Sequence, residues 1–328
     1  MDAKENYEAG RKYHRLGNYG EALRLYRLSA GEGYAPAQFM LGEMYLSGLG
    51  VGQDDSEALR WRLKAAEQGY IEAQYYLAFA YGHGKEWDLR GWECEVWRDK
   101  EESLKWYHRV FEHYRELALQ GDAEAQIRLG DMYSCGEGVG ADSKEALRWY
   151  AEALGHYKEL AGQGDTGAML RLGEIYRKGV GVTQDYAEAV RWYQAAAGQG
   201  NSEAQFWLGR MYRFGRGVGK DCTEAVKWYR IAAEHGHINA QGCLASAYEH
   251  GEGVAQDYRE AVRWHVMAAE QGDVNEQLRL GRMYELGDGV AQDFGEAVRW
   301  YSMAAEQGSI TARHLLEEMK EGAGSLLG

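Results

Sequence analysis

One nine-residue pattern returns along the whole chain and constrains it more than any other feature. In full or degenerate form, Ala-Gln-x-x-Leu-Gly-x-Met-Tyr opens at Ala37, Ala73, Ala125, Ala168, Ala204 and Ala240, with Glu276 standing in the alanine position of a seventh copy. From 168 to 204, 240, 276 and 312 the spacing is 36 residues, and it is 36 again from 37 to 73. From 73 to 125 and from 125 to 168 it stretches to 52 and 43. A fixed period of this length is the mark of a repeat array, in which each unit packs only on its neighbours. The limit that splits ordinary chains of this size into separate cores then loses its force.

Each period predicts two helices. Apolar residues fall at helical spacing in the first, as in Ala204, Leu208, Met211 and Tyr212. A Gly-x-Gly-Val turn follows, as at Gly48–Val51, Gly215–Val218 and Gly287–Val290. Glycine there supplies the left-handed conformation that ends a helix without a Cβ clash. With 44 glycines, one proline and 45% hydrophobic residues, the glycine serves turns and not a floppy linker. The second helix opens on Asp-x-x-Glu: Asp54/Glu57, Asp99/Glu102, Asp142/Glu145, Asp185/Glu188, Asp221/Glu224, Asp257/Glu260 and Asp293/Glu296. Recurrence in every unit makes these carboxylates helix caps, in the form of a capping box, and not catalytic pairs. Trp61, Trp106, Trp149, Trp192, Trp228, Trp264 and Trp300 then form a column expected to pack between units.

Taken together, Ala204-Gln205-x-x-Leu208-Gly209-x-Met211-Tyr212, the glycine turn, Asp221-x-x-Glu224-Ala225 and Trp228-Tyr229-x-x-Ala232-Ala233 resemble the Sel-one-like repeat (SLR) family of the tetratricopeptide-like superfamily. The resemblance implies an all-α fold, a right-handed superhelical solenoid of helix-turn-helix repeats, serving as an adaptor or scaffold for other proteins. It divides a single repeat domain, 1–328, into seven units over 37–311, with those at 73–124 and 125–167 enlarged. Residues 3–36 lack the Gly-x-Gly-Val turn and resemble an ordinary tetratricopeptide unit capped by Asn18 and Glu21. Residues 312–321 are expected to close the array as a capping helix, leaving 322–328 as a frayed tail. Some secreted, cysteine-rich relatives have regular disulfides and a proposed β-lactam hydrolase activity. Cys94, Cys135, Cys222 and Cys243 are scattered, without the pairing of metal ligands or a redox dithiol.

Charge and hydropathy narrow the function further. A net charge of −14, from 37 basic and 51 acidic residues, disfavours nucleic acid. No run approaches the ~18 apolar residues of a membrane span. The opening Met1-Asp2-Ala3-Lys4-Glu5-Asn6 has no hydrophobic stretch, so a cytoplasmic protein is expected, or a periplasmic or secreted one whose signal was removed. The Gly-x-Gly turns follow helices and not strands, so they imply no dinucleotide, and no residue set implies a metal or other cofactor. Nor does a nucleophile–base set outside the repeat pattern fall together, so the chain is not expected to be an enzyme.

Function is sought where the repeat is broken or where its surface varies. The second helices of the two enlarged units gain seven residues each, about two turns. The loop from Gly82 to Lys100 carries Trp87, Trp92 and Trp97, none of them in the column. They either pack against the lengthened helices of this chain or are candidate contacts to a partner, or to a second copy in a purely architectural assembly. In tetratricopeptide-like arrays the first helices line the concave face. The position two before the repeated Leu then holds Tyr7, Phe39, Tyr75, Ile127, Leu170, Phe206 and Leu278, with a gap at Gly242. This apolar stripe either faces a groove or is partly covered between helices. The flanking charges include Arg11, Arg177, Arg210, Arg213 and Arg282, and Trp207 sits beside Phe206. The cluster at 177–213 is either solvated surface decoration or a cationic field on an acidic background, suited to an acidic peptide or a terminal carboxylate.

Overall fold

The computed structural model describes residues 2–83 and 99–325, with side chains up to residue 319. Trp87, Trp92 and Trp97 lie outside the described residues. Among those described there are seventeen helices and no strand, neighbouring helices packing in tandem pairs. The chain divides into two compact units, Met1–His156 and Tyr157–Gly328. The first contains α1 (Ala3–Arg15), α2 (Tyr19–Gly31), α3 (Ala35–Ser47), α4 (Asp55–Glu67), α5 (Ile71–His83), α6 (Lys100–Leu119) and α7 (Ala123–Cys135). The divide falls within α8 (Ser143–Gly162). The second contains α9 (Thr166–Lys178), α10 (Tyr186–Gly198), α11 (Ser202–Phe214), α12 (Cys222–Glu234), α13 (Ile238–His250), α14 (Tyr258–Glu270), α15 (Val274–Leu286), α16 (Phe294–Glu306) and α17 (Ile310–Ser325). Helices α6 and α8 are 20 residues long, where α10, α12, α14 and α16 are 13.

The repeated residues have separate structural tasks. The pattern's leucines (Leu41, Leu77, Leu129, Leu172, Leu208, Leu244 and Leu280) are all 0% exposed and form its axis. Where the pattern carries its glutamine, three residues before the leucine, that side chain ties the pair to the helix before it. Gln205, Gln241 and Gln277 donate to the carbonyls of Ala197, Ala233 and Ala269 in the last turn of the preceding helix. Each of those carbonyls also accepts from the backbone N–H of the glycine that follows the helix (Gly200, Gly236 and Gly272), so the buried amide fills the second lone pair and ties one helix pair to the next. The glycine after the leucine makes room for an aromatic ring. A Cβ on Gly209 would stand 2.7 Å from the ring of Tyr229.

The caps follow the expected pattern in one half only. Asp54, Asp221 and Asp257 accept from the backbone N–H of Glu57, Glu224 and Glu260. The reciprocal arm of the box is present at α1, between Asp2 and Glu5, and at no second helix among the described residues. The glutamates turn instead to a basic residue three positions on, as in Glu57–Arg60 at 2.6 Å and Glu224–Lys227 at 2.7 Å. A charged partner on the same helix face outcompetes a backbone N–H. The column tryptophans are structural: Trp106, Trp149, Trp264 and Trp300 are buried, and Trp61, Trp192 and Trp228 half-buried.

Candidate functional site

In the first unit the stripe positions are covered in varying degree. Tyr7 is half-buried, edge-on to Tyr34 at 5.3 Å, with Arg11 over its ring at 5.8 Å and itself held by Glu8. Phe39 packs on Tyr70 at 5.5 Å, and Ile127 is half-buried. Tyr75 remains 43% exposed and lines a cleft of about 380 Å³ with Tyr114, Arg128, Asp131 and Glu137. Burial pushes the Glu137 carboxyl up, against the pull of a hydrogen bond from Tyr75.

In the second unit Arg177, Phe206, Trp207 and Arg210 come together, and Leu170, Leu278 and Arg282 do not join them. Leu170 and Leu278 are half-buried and Arg282 is exposed. At Phe206 the position is covered between helices: it is 6% exposed, with the His237 ring stacked on it at 4.7 Å. The apolar position is closed by the next unit, and the polar residues around it form the accessible surface. Trp207 is the centre of that surface. Its Nε1 donates to Glu203 at 2.8 Å, and Glu203 also holds His237 Nε2 at 2.9 Å, so the indole is fixed from its edge. The guanidinium of Arg177, on α9, lies 4.1 Å from the indole centroid, and that of Arg210 lies 4.9 Å from it. Neither guanidinium has a carboxylate within 4.0 Å among the described residues. Arg177 donates to the Tyr193 hydroxyl at 3.2 Å. Arg213 is engaged, by Glu252 at 2.8 Å.

Beside Trp207 opens a cleft of about 520 Å³ between α11, α13 and the start of α15. Arg210, Arg213 and Phe214 form one wall, Glu276 and Asp273 the other, and Tyr229 and Cys243 lie in its lining. Phe214 is 52% exposed. Tyr229 is 1% exposed, and its hydroxyl lies beside Arg213 and the Cys243 thiol without a well-aligned hydrogen bond to either. Burial raises the Tyr229 and Cys243 pKa values, and Arg213 and Arg210 pull both down. The thiol is thus held as a neutral, poor nucleophile. No group of three or more potential metal ligands occurs among the described residues, and no helix there is long and apolar enough to cross a membrane. Tyr229, Phe214, Cys243 and Glu276 were not expected from sequence to be parts of a site. Three lie at ordinary repeat or turn positions, and the departure that marked Glu276 did not show where its side chain went.

Tandem helix pairs with a glycine turn and an interlocking leucine–glutamine seam define a tetratricopeptide-like helical repeat protein. Segments 3–34, 35–70, 71–109, 123–154, 166–201, 202–237, 240–273 and 277–309 match the Sel1 repeat, and the chain belongs to that family. The matched set includes the first unit, although it lacks the Gly-x-Gly-Val turn. A 142-residue stretch is 35% identical to Chitin synthase regulatory factor 3 of Schizosaccharomyces pombe, covering 41% of this chain and 14% of that protein. Another is 30% identical over 142 residues to the Exopolysaccharide production negative regulator of Rhizobium leguminosarum bv. viciae, covering 40% and 49%. The chain spans less than half the length of either. The crystal structure of a Sel1 repeat protein from Oxalobacter formigenes aligns at 34% identity and a TM-score of 0.50, over 97% of this chain and 88% of that one.

Proposed function

We propose that this chain is a protein-interaction adaptor that takes an acidic segment of its partner along the first helices α9, α11 and α13. The observation that carries the reading is the pair of guanidiniums, Arg177 and Arg210, set against the Trp207 ring with no carboxylate of their own within 4.0 Å among the described residues. Nearby arginines are neutralised, as Arg191 is by Glu188 and Arg213 by Glu252. An arginine held against an aromatic ring by its face keeps its edge donors available, and although Arg177 spends its Nε on Tyr193, the remaining donors suit a carboxylate. Partly covered by indole, it is also less hydrated than a free surface cation, so an ionic contact gains more there. The two named relatives are regulators, and an adaptor that recruits or sequesters a partner fits that role.

Affinity capture with the wild-type chain and with Arg177→Glu/Arg210→Glu tests the reading. A partner retained by the first and lost by the second, with weaker retention at higher salt, supports it. Equal retention by both would remove this face from the interaction.

A further inference from the structure

The two units carry opposite charges at equivalent places in the repeat. Two residues after the pattern's leucine, the first unit has Asp131 where the second has Arg210. Between the glycines of the following turn, the first has Glu137 where the second has Arg216. Both carboxylates line the cleft of about 380 Å³ formed by α5, α6, α7 and that turn. Glu72, at the start of α5, is a third, and the lining's cation is Arg128. Each carboxylate is held by a tyrosine hydroxyl: Tyr150 donates to Asp131 at 2.7 Å, Tyr75 donates to Glu137, and Tyr70 to Glu72. None of the three has a basic side chain within 4.0 Å among the described residues. Arg128 has its Nε 3.9 Å from Glu124, which is not part of the lining.

This differs from the ordinary acidic surface of the chain, where a glutamate is neutralised on its own helix, as Glu57 is by Arg60 and Glu145 by Arg148. A phenol fixes a carboxylate in place without cancelling its charge. Burial, and more weakly Asp131, push the Glu137 carboxyl up against the pull of Tyr75 and His83, the sign of a desolvated group short of positive charge. Aromatic rings stand beside the carboxylates. Tyr75 is 43% exposed, with its ring fixed edge-on to Tyr107 at 5.8 Å, and Tyr114 is half-buried. A ring face attracts a cation and also packs against an alkyl stem. No three such groups are placed to hold one metal ion among the described residues, so the carboxylates suit an extended cation with several N–H donors. We propose that this cleft receives a lysine or arginine side chain of a partner protein, its charged head at Asp131, Glu137 and Glu72 and its stem along Tyr75 and Tyr114. The charge complementarity belongs to the first unit and to other residues than the acidic-segment reading, so the two stand or fall separately.

Fluorescence anisotropy tests it with a lysine-rich hexapeptide, labelled with fluorescein at its N-terminus and amidated at its C-terminus. Wild type binds the probe, more weakly as salt is added. Asp131→Asn/Glu137→Gln keeps an oxygen acceptor for each tyrosine hydroxyl and removes both charges. It weakens binding about tenfold, the effect of two partly exposed ion pairs. Glu234→Gln/Glu270→Gln removes the same charge from exposed positions of the second unit and leaves affinity within about twofold. Equal weakening by the two double variants would reduce the binding to net charge and overturn the proposal. Arg128→Gln deletes the cleft's own cation and tightens binding about two- to fivefold; no gain there would also overturn it. Arg177→Glu/Arg210→Glu does not weaken binding of this probe, and a loss would move the probe to the second unit. Spermidine that displaces the probe as well as unlabelled peptide does would assign the cleft to a free polyamine and overturn the side-chain assignment. No binding by wild type overturns the proposal and leaves the acidic-segment reading as it stands.

Discussion

The spacing of successive units depends on how closely one glycine turn approaches the unit before it, and the turn at Gly48–Gly52 separates the contributions. Gly48 and Gly50 both have left-handed backbones, with φ of 66° and 69°. Alanine in that region costs about 1–2 kcal/mol. At Gly48 nothing more is added, because the nearest atom to a new Cβ is 3.6 Å away. At Gly50 the Cβ would stand 2.6 Å from the carbonyl oxygen of Tyr19, a backbone atom at the start of α2. That shortfall cannot be relieved by a side-chain rotation, so the turn must lift from α2 at a further cost of about 1–3 kcal/mol. Gly52 has nothing within 4 Å, and alanine there gains about 0.4–1 kcal/mol by restricting the unfolded chain. The expected order of stability is therefore Gly52→Ala, wild type, Gly48→Ala, Gly50→Ala, with about 1–3 kcal/mol between the last two. Guanidinium unfolding followed by far-UV circular dichroism measures it, supported by hydrogen exchange of the α2 and α3 amides, since repeat arrays can open locally. If Gly50→Ala costs no more than Gly48→Ala, the close approach to Tyr19 does not set the spacing.

Two further outcomes follow from burial. Leu208→Ala removes a side chain that is 0% exposed, and the loss of packing should cost about 3 kcal/mol in the same unfolding experiment. Burial raises the hydroxyls of Tyr70 and Tyr193 to about 12, with Arg177 pulling Tyr193 back. Between the unfolded value near ~10 and that folded value the native state binds more protons than the unfolded one. The stability these groups contribute is thus fully present below pH ~10 and lost as pH rises toward ~12, which a thermal-melt series across that range would record.

The helical repeat, its period, the caps and the core leucines were legible in sequence because each unit solves the same packing problem with the same residues. Periodicity averages out local ambiguity, and a residue seen in every unit identifies its own task. The cationic residues Arg177 and Arg210 were legible for the opposite reason, as charges that change while the frame stays constant. Their relation to Trp207 was not. It depends on which α9 side chain reaches which α11 ring, a contact between residues 30 positions apart that no local pattern encodes. Whether the apolar stripe is open or covered was likewise not legible, and at Phe206 it is the His237 ring, 31 residues away, that covers it. Most of all, Gly242, His265 (where neighbouring second helices carry tyrosine) and Glu276 are three separate irregularities when read along the chain. Only the tertiary structure brings them to one buried point, because a missing side chain on one helix is what gives a carboxylate from another the space to meet an imidazole on a third.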